Sequence, residues 1–246
     1  MEIYTQQKQL RIVDISDSDI NYLALKTLRS ANPVIMVQLA SVFILVAAPT
    51  IAGVNALNRA KSRLAGKVYC SAIGSFANFL MSAKVESFSK FFSGNTSFFD
   101  CLEGSFLRIP MGPESLETPS IKNGMHQGLL LPKGHVRNLI ENIEKFSLKY
   151  ETTPIFPISK YRAPICTSAN ISGDARGPIV ELRTAKNFAL QTNIPLIIEN
   201  REIDKDSLSF PILSFEKNKI SIERGGNGIS KILNNLPSSI SVEMGF

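Results

Sequence analysis

Tryptophan is absent from this chain of 246 residues, histidine occurs twice and cysteine three times. His126 and His135 alone offer little material for a zinc centre. Cys70, Cys101 and Cys166 are widely spaced, with no Cys-x-x-Cys among them. That pattern argues against a disulfide scaffold and fits a reducing compartment, the cytoplasm. No internal repeat and no low-complexity tract is present, which removes solenoids and linker-like chains from consideration.

Charge is missing from one long stretch. Ala31 to Leu57 carries no ionisable side chain, and its centre is the run Val34 to Ala48. Length alone would permit a membrane span, which needs ~20 apolar residues. However, Pro33 and Pro49 bracket the run, Gln38 and Ser41 interrupt it, and valine and isoleucine dominate it. The composition predicts buried strands, either as a pair or as a short helix feeding one strand, and no membrane span.

What is present is a chain with enough apolar matter for a core, 44% of residues, and a formal charge of +6. The length suits one domain covering residues 1–246. The positive balance favours anionic partners, whether nucleotide phosphates, RNA or an acidic surface.

Periodicity outlines the elements. Residues 9–15 read as an opening strand. Ser16 and Asp19 resemble a capping box, followed by a helical face of Ile20, Leu23, Ala24 and Leu28. Val42–Ala48 reads as a strand, Ala52-Gly53 as a turn, and Val54–Arg63 as a short helix carrying Lys61 and Arg63 at its end. A strand over Lys67–Ala72 follows, then a helix whose face is Phe76, Phe79, Leu80, Ala83 and Phe88. That phenylalanine stripe reads as core packing rather than as a base-stacking platform.

Residues 93–125 read as irregular, with one strand near Phe106–Ile109. Leu129–Leu131 is a short strand, and His135 opens a helix with the face Val136, Leu139, Ile140, Ile143 and Phe146. A strand ending at Cys166 or Thr167 leads into a loop from Ser168 to Gly173. Glu181–Leu190 reads as helix, and Pro195–Ile198, Pro211–Phe215 and Lys219–Glu223 as strands. Strands and helices in this irregular alternation imply an α/β fold on a sheet of mixed direction.

Two segments carry candidate chemistry. Thr167-Ser168-Ala169-Asn170-Ile171-Ser172-Gly173 offers hydroxyls, an amide and a glycine turn, all able to bond phosphate oxygens. Alternation in an extended loop puts Ser168 and Asn170 on one side. Lys61-Ser62-Arg63 offers two cations, which point apart on a regular helix and converge only if the helix ends there. Taken alone, the loop reads as an ordinary turn, and Arg59, Lys61, Arg63 and Lys67 as a solvated basic face.

In order and content these segments resemble the YrdC/Sua5 family, the threonylcarbamoyl-AMP synthases of tRNA modification. The elements that carry the resemblance are Pro49-Thr50, Lys61-Ser62-Arg63 with Gly66-Lys67, the Thr167–Gly173 loop, and Arg224-Gly225. It covers about residues 10–235. The resemblance implies a twisted α/β mixed sheet with a positively charged concave face, on which ATP, bicarbonate and L-threonine give threonylcarbamoyl-adenylate and pyrophosphate. It implies catalytic roles for Lys61 and Arg63, which would hold carboxylate and phosphate charge. Thr50, Lys67, Thr167, Ser168, Asn170, Ser172 and Arg224 would bind the nucleotide, and Mg2+ would accompany the triphosphate. tRNA or tRNA-modification proteins would be the partners.

Two departures stand out. Ile51-Ala52-Gly53-Val54 replaces the acidic residue, threonine and Tyr-Gly-Leu that the family places after Pro-Thr. Leu130 stands where the family has the arginine of an Arg-x-Pro strand end, with His126, Lys133 and Arg108 as possible substitutes for that cation. The second reading is therefore a nucleotide- or RNA-binding module of the same fold that no longer catalyses.

Overall fold

The computed structural model describes residues 10–39, 42–63, 68–84, 100–111, 119–147, 155, 161–201, 210–236, 238 and 240–245. Twelve strands form one sheet. β1 (Arg11–Asp14), β2 (Val34–Leu39), β3 (Val42–Ala47), β4 (Cys70–Ile73), β5 (Ser105–Pro110) and β6 (Ile121–Lys122) come from the first half. β7 (Met125–Leu130), β8 (Ile165–Ser168), β9 (Leu196–Glu199), β10 (Ile212–Glu216), β11 (Lys219–Arg224) and β12 (Ser241–Met244) complete it. Their spatial order is β1-β9-β2-β3-β8-β4-β7-β5-β10-β11-β12, with β6 flanking β7. β1 and β2 run parallel to β9, β4 to β7, β5 to β10 and β11 to β12, whereas β8 is antiparallel to both β3 and β4.

The charge-free stretch resolves into β2, β3 and the start of a helix. β2 and β3 pair antiparallel from Val34↔Ala47 to Leu39↔Val42, and they are buried on both faces, which explains why their sequence does not alternate. No helix among the described residues is long and apolar enough to cross a membrane.

Two hydrophobic clusters sandwich the sheet. On one face α1 (Ile20–Leu28) and α4 (His135–Ser147) pack on Ile35, Val37, Ile44, Val46, Ala72 and Leu129. On the other, α2 (Ile51–Lys61), α3 (Phe76–Leu80), α5 (Leu182–Gln191) and α6 (Ile229–Asn234) cover Val34, Met36, Phe43, Leu45, Ile73 and Ile165. The expected helical face of α1 is the buried one, and so is that of α4, save that Phe146 is exposed.

Several local expectations need correction. The capping box does not form: the Ser16 hydroxyl donates to Asp14 instead, and Asp19 occupies the N-cap of α1 without a side-chain bond. Ala52-Gly53 is not a turn. Thr50 caps α2 from Ile51, its Oγ1 accepting from Gly53 N at 3.1 Å. Gly53 is required because a Cβ there would lie 2.1 Å from the Ala48 carbonyl oxygen. β4 starts at Cys70 rather than Lys67, and β6 adds order to the span read as irregular. Phe88 and Lys67 lie outside the described residues.

Candidate functional site

α2 ends because Ser62 takes the left-handed conformation, φ 46°, and its amide returns to the Arg59 carbonyl. This ending throws Lys61 and Arg63 out of helical register, the condition under which two cations two residues apart can serve one region. Arg59 and Lys61 in the last turn complement the negative end of the helix dipole.

Lys61 is 2% exposed, and its ammonium reaches across to the loop after β8. Nζ donates to the Ser168 carbonyl at 2.5 Å, the Asn170 carbonyl at 2.8 Å and Asn170 Oδ1 at 2.9 Å. The Ser172 amide donates to the Lys61 carbonyl at 2.9 Å, closing a reciprocal clasp. These three acceptors are neutral, so they solvate the ammonium without cancelling its charge. Ser168 Oγ donates to Asn170 Oδ1 at 2.7 Å, so the two side chains share one side as alternation requires. Gly173, at φ 87°, turns the chain after the loop in a conformation that favours glycine.

Arg63 flanks the clasp. Its guanidinium donates to the Val68 carbonyl and stacks 4.2 Å above the ring centre of Tyr69. Burial lowers its pKa below the ordinary arginine value. Tyr69 donates to Asn58 Oδ1 at 2.6 Å, tying this stack back to α2. Sequence reasoning overlooked Tyr69 and Asn58, although an aromatic residue near an arginine pair is a usable cue for stacking.

Among the buried side-chain polar atoms of the described residues that have no hydrogen-bond partner are Arg63 Nε and Ser172 Oγ, both on residues next to the clasp. Unmatched buried donors typically cost about 1–3 kcal/mol each. Asn170 Nδ2 is a third donor there that makes no bond to a described residue.

The remaining predicted residues lie elsewhere. Thr167 pairs with Leu45 and is half-buried on β8 beside the loop. Thr50 sits at the opposite end of α2, about 16 Å of helix rise from Lys61, its hydroxyl engaged in capping. Arg224 closes β11, with β4, β7, β5 and β10 between it and β8. Its guanidinium donates to the Phe210 carbonyl at 2.8 Å and lies over Phe106.

Leu130 is fully buried in the core, paired with Ser105 and Ile73. Because β7 is parallel to β4 and β8 antiparallel to it, Leu130 lies toward the opposite end of the strands from Ser168. Of the substitute cations, His126 is excluded. It is fully buried between Ser71 and Ser82, and burial drops its pKa to about 3, so it stays neutral. Arg108 is ion-paired with Glu223 and bonds Gln127, and exposed Lys133 pairs with Asp100 and Glu103.

No family model matches the chain, and no curated protein matches it in sequence. Solved structures do. A double-alanine variant of P. abyssi Sua5 superposes with a TM-score of 0.64 at 15% identity, over 96% of this chain and 66% of that one. P. abyssi Sua5 complexed with L-threonine gives 0.60 at 17% identity, over 95% and 62%. E. coli YciO gives 0.60 at 12% identity, over 91% and 97%. The chain thus spans about two thirds of the length of the Sua5 proteins and nearly all of YciO. At these identities the likeness is one of architecture, and on that ground the chain has the YrdC/Sua5-like fold.

Proposed function

We propose that this protein is a nucleotide-binding module of YrdC-like fold, one domain over residues 1–246, that takes the phosphates of ATP at the Lys61 clasp. The observation that carries this reading is the buried Lys61 ammonium held by the Ser168–Asn170 loop, with unmatched donors on two residues adjoining it in the chain or by hydrogen bond, Arg63 Nε and Ser172 Oγ, and the half-buried Asn170 amide on the loop itself. Phosphate oxygens are strong acceptors and would satisfy these donors from several directions at once. The helix end that would repel them is already capped by Ser62, Arg63 and Ser172 amides. Among the described residues no three His, Cys, Asp or Glu side chains converge to hold a metal, so Mg2+ would enter on the triphosphate itself.

Equilibrium titration with ATP, with and without Mg2+, tests the reading. Saturable binding that weakens at least about tenfold in Asn170→Ala supports it, as expected for loss of a charge-assisted bond. Binding that Asn170→Ala leaves unchanged rejects this site.

Likeness to a Sua5 solved with L-threonine favours a second reading, threonylcarbamoyl-adenylate synthesis for tRNA modification, with bicarbonate and L-threonine as co-substrates. In it the Thr167–Gly173 loop would hold phosphates, and Lys61 and Arg63 would steady charge at the transferring centre. Thr50 and Arg224 would serve the nucleotide from further off, and Lys67 would add its charge to a positively charged concave face. A tRNA or tRNA-modification protein would then receive the product. The measurement is pyrophosphate release from ATP and bicarbonate with and without L-threonine. Release that threonine does not stimulate would leave the module reading alone.

A further inference from the structure

Cys70 and Cys166 are adjacent on β4 and β8, directly opposite one another in the antiparallel ladder. The Ala72 amide donates to the Pro164 carbonyl at 2.8 Å, two positions along the same ladder. That phase puts the cysteine pair at a hydrogen-bonded position, where Cα atoms stand about 5.5 Å apart. A disulfide accepts that Cα separation, but its Cβ atoms stand about 3.5–4.5 Å apart, so closure draws the two strands together at this position. Directly opposed side chains share a sheet face, so the sulfurs point the same way. Both cysteines are unbridged, and Cys70 is 7% exposed against 2% for Cys166.

We propose that Cys70 and Cys166 form a reversible thiol-modification site that hydrogen peroxide closes into a cross-strand disulfide. The inference is independent of the nucleotide reading. The surroundings divide the labour between the two sulfurs. Cys70 is drawn below the usual thiol range by a hydrogen bond from Cys166, aided by one from Gln127 and by the charges of Arg108 and Arg63, against the opposing effect of burial. Gln127 Nε2 lies 2.8 Å from Cys70 Sγ. Cys166 is pushed up by its bond to Cys70 and by burial. Cys70, the more exposed of the two and the one that Gln127 reaches, is the attacking sulfur and Cys166 the resolving one.

The chemistry balances with peroxide as the oxidant. The Cys70 thiolate attacks one peroxide oxygen, the O–O bond breaks, and Cys70 sulfenic acid and hydroxide form. The Cys166 sulfur then attacks the sulfenic sulfur, the S–S bond forms, the S–O bond breaks, and its proton leaves with that oxygen as water. Two thiols are oxidised and one peroxide is reduced. Gln127, which reaches Cys70, and Arg108 are half-buried, so peroxide approaches Cys70 from their side. Cys101 is buried away from the pair and serves as an internal control.

The test exposes the reduced full chain to a small excess of hydrogen peroxide, then unfolds it in N-ethylmaleimide for intact mass and peptide mapping. Expected is a loss of two hydrogens, one maleimide on Cys101, a linked Cys70–Cys166 peptide, and three maleimides after dithiothreitol. Three maleimides before reduction, or a bond involving Cys101, overturns the proposal. In Cys166→Ala, Cys70 should stop at a sulfenic acid trapped by dimedone, whereas dimedone on Cys166 in Cys70→Ala would reverse the assigned roles and defeat it. In Gln127→Leu the closure should slow about tenfold, and an unchanged rate removes the activation argument.

Discussion

Lys61 Nζ lies 2.9 Å from Asn170 Oδ1 across 109 positions of sequence, joining the end of one helix to the loop after a strand in mid-sheet. Two chain segments that carry no structural information about each other locally are thereby fixed as one unit.

Replacing Lys61 with Met keeps most of the side-chain volume and removes the ammonium. Two loop carbonyls and the Asn170 amide oxygen then lose a charged donor. The expected destabilisation is about 2–4 kcal/mol, read as a lower urea midpoint at unchanged slope. Lys61→Arg should not restore it, because a planar guanidinium cannot occupy the site of a compact ammonium. A variant as stable as the parent would show the clasp to be energetically idle.

Gly53→Ala tests the packing of α2 on β3. The added methyl meets the Ala48 carbonyl oxygen at 2.1 Å, and backbone cannot yield as a side chain would. A loss of about 3 kcal/mol or more is expected, together with weaker ATP binding as the helix end carrying Lys61 moves. Calorimetric melting compared with Ala52→Gly, at an exposed neighbour, separates this clash from simple helix propensity.

Glu144 and His126 impose opposite pH dependences. Glu144 accepts from the Gly74 and Ser75 amides, yet burial raises its pKa from 4.5 to about 7. Its protonated form therefore favours the fold: this contribution is full below pH 4.5 and is lost as pH rises through 7, by up to about 3 kcal/mol. His126 has the depressed value of about 3 against 6.5 unfolded, so its contribution is full above pH 6.5 and is lost as pH falls towards 3. Between pH 4.5 and 6.5 the two slopes oppose each other, so stability measured by urea at a series of pH values should be nearly flat there in the parent and should rise with pH in Glu144→Gln. A profile that Glu144→Gln leaves unchanged would assign the balance to other groups.

Arg63→Leu keeps an apolar side chain over Tyr69 while removing the half-buried guanidinium. ATP affinity should drop about ten- to hundredfold, with little change in melting temperature, since one guanidinium atom already lacks a partner. A large melting shift with intact affinity would identify Arg63 as a structural strut.

Much of this architecture is legible from residue order because apolar runs declare strands and spaced apolar residues declare helix faces. β2 and β3 follow from their valine and isoleucine content, and α1 from Ile20, Leu23, Ala24 and Leu28. Boundaries set by a single side chain were harder to read. Capped by Thr50, α2 starts three residues earlier than its apolar pattern suggests, because a cap needs only one oxygen. At the site, the Ser168–Asn170 relation is local and follows from alternation. The Lys61 reach, the Tyr69 stack and the Cys70–Cys166 register depend on which strands become neighbours, and no spacing within one segment encodes that. The buried state of His126 was invisible for the same reason, its two serine partners arriving from β4 and the turn after α3.

β8 has one further consequence, for assembly of the molecule. Residues 165–168 are inserted between strands made some hundred residues earlier, and both neighbours hydrogen-bond to it. During synthesis, the left and right portions of the molecule therefore wait as separate ribbons, each with a bare margin where the missing thread will lie. A chain interrupted before residue 165 would expose two sticky borders to any neighbour in solution. Self-association of such a fragment, and slow zipping in the intact protein, are the expected signatures of a keystone delivered long after both its neighbours.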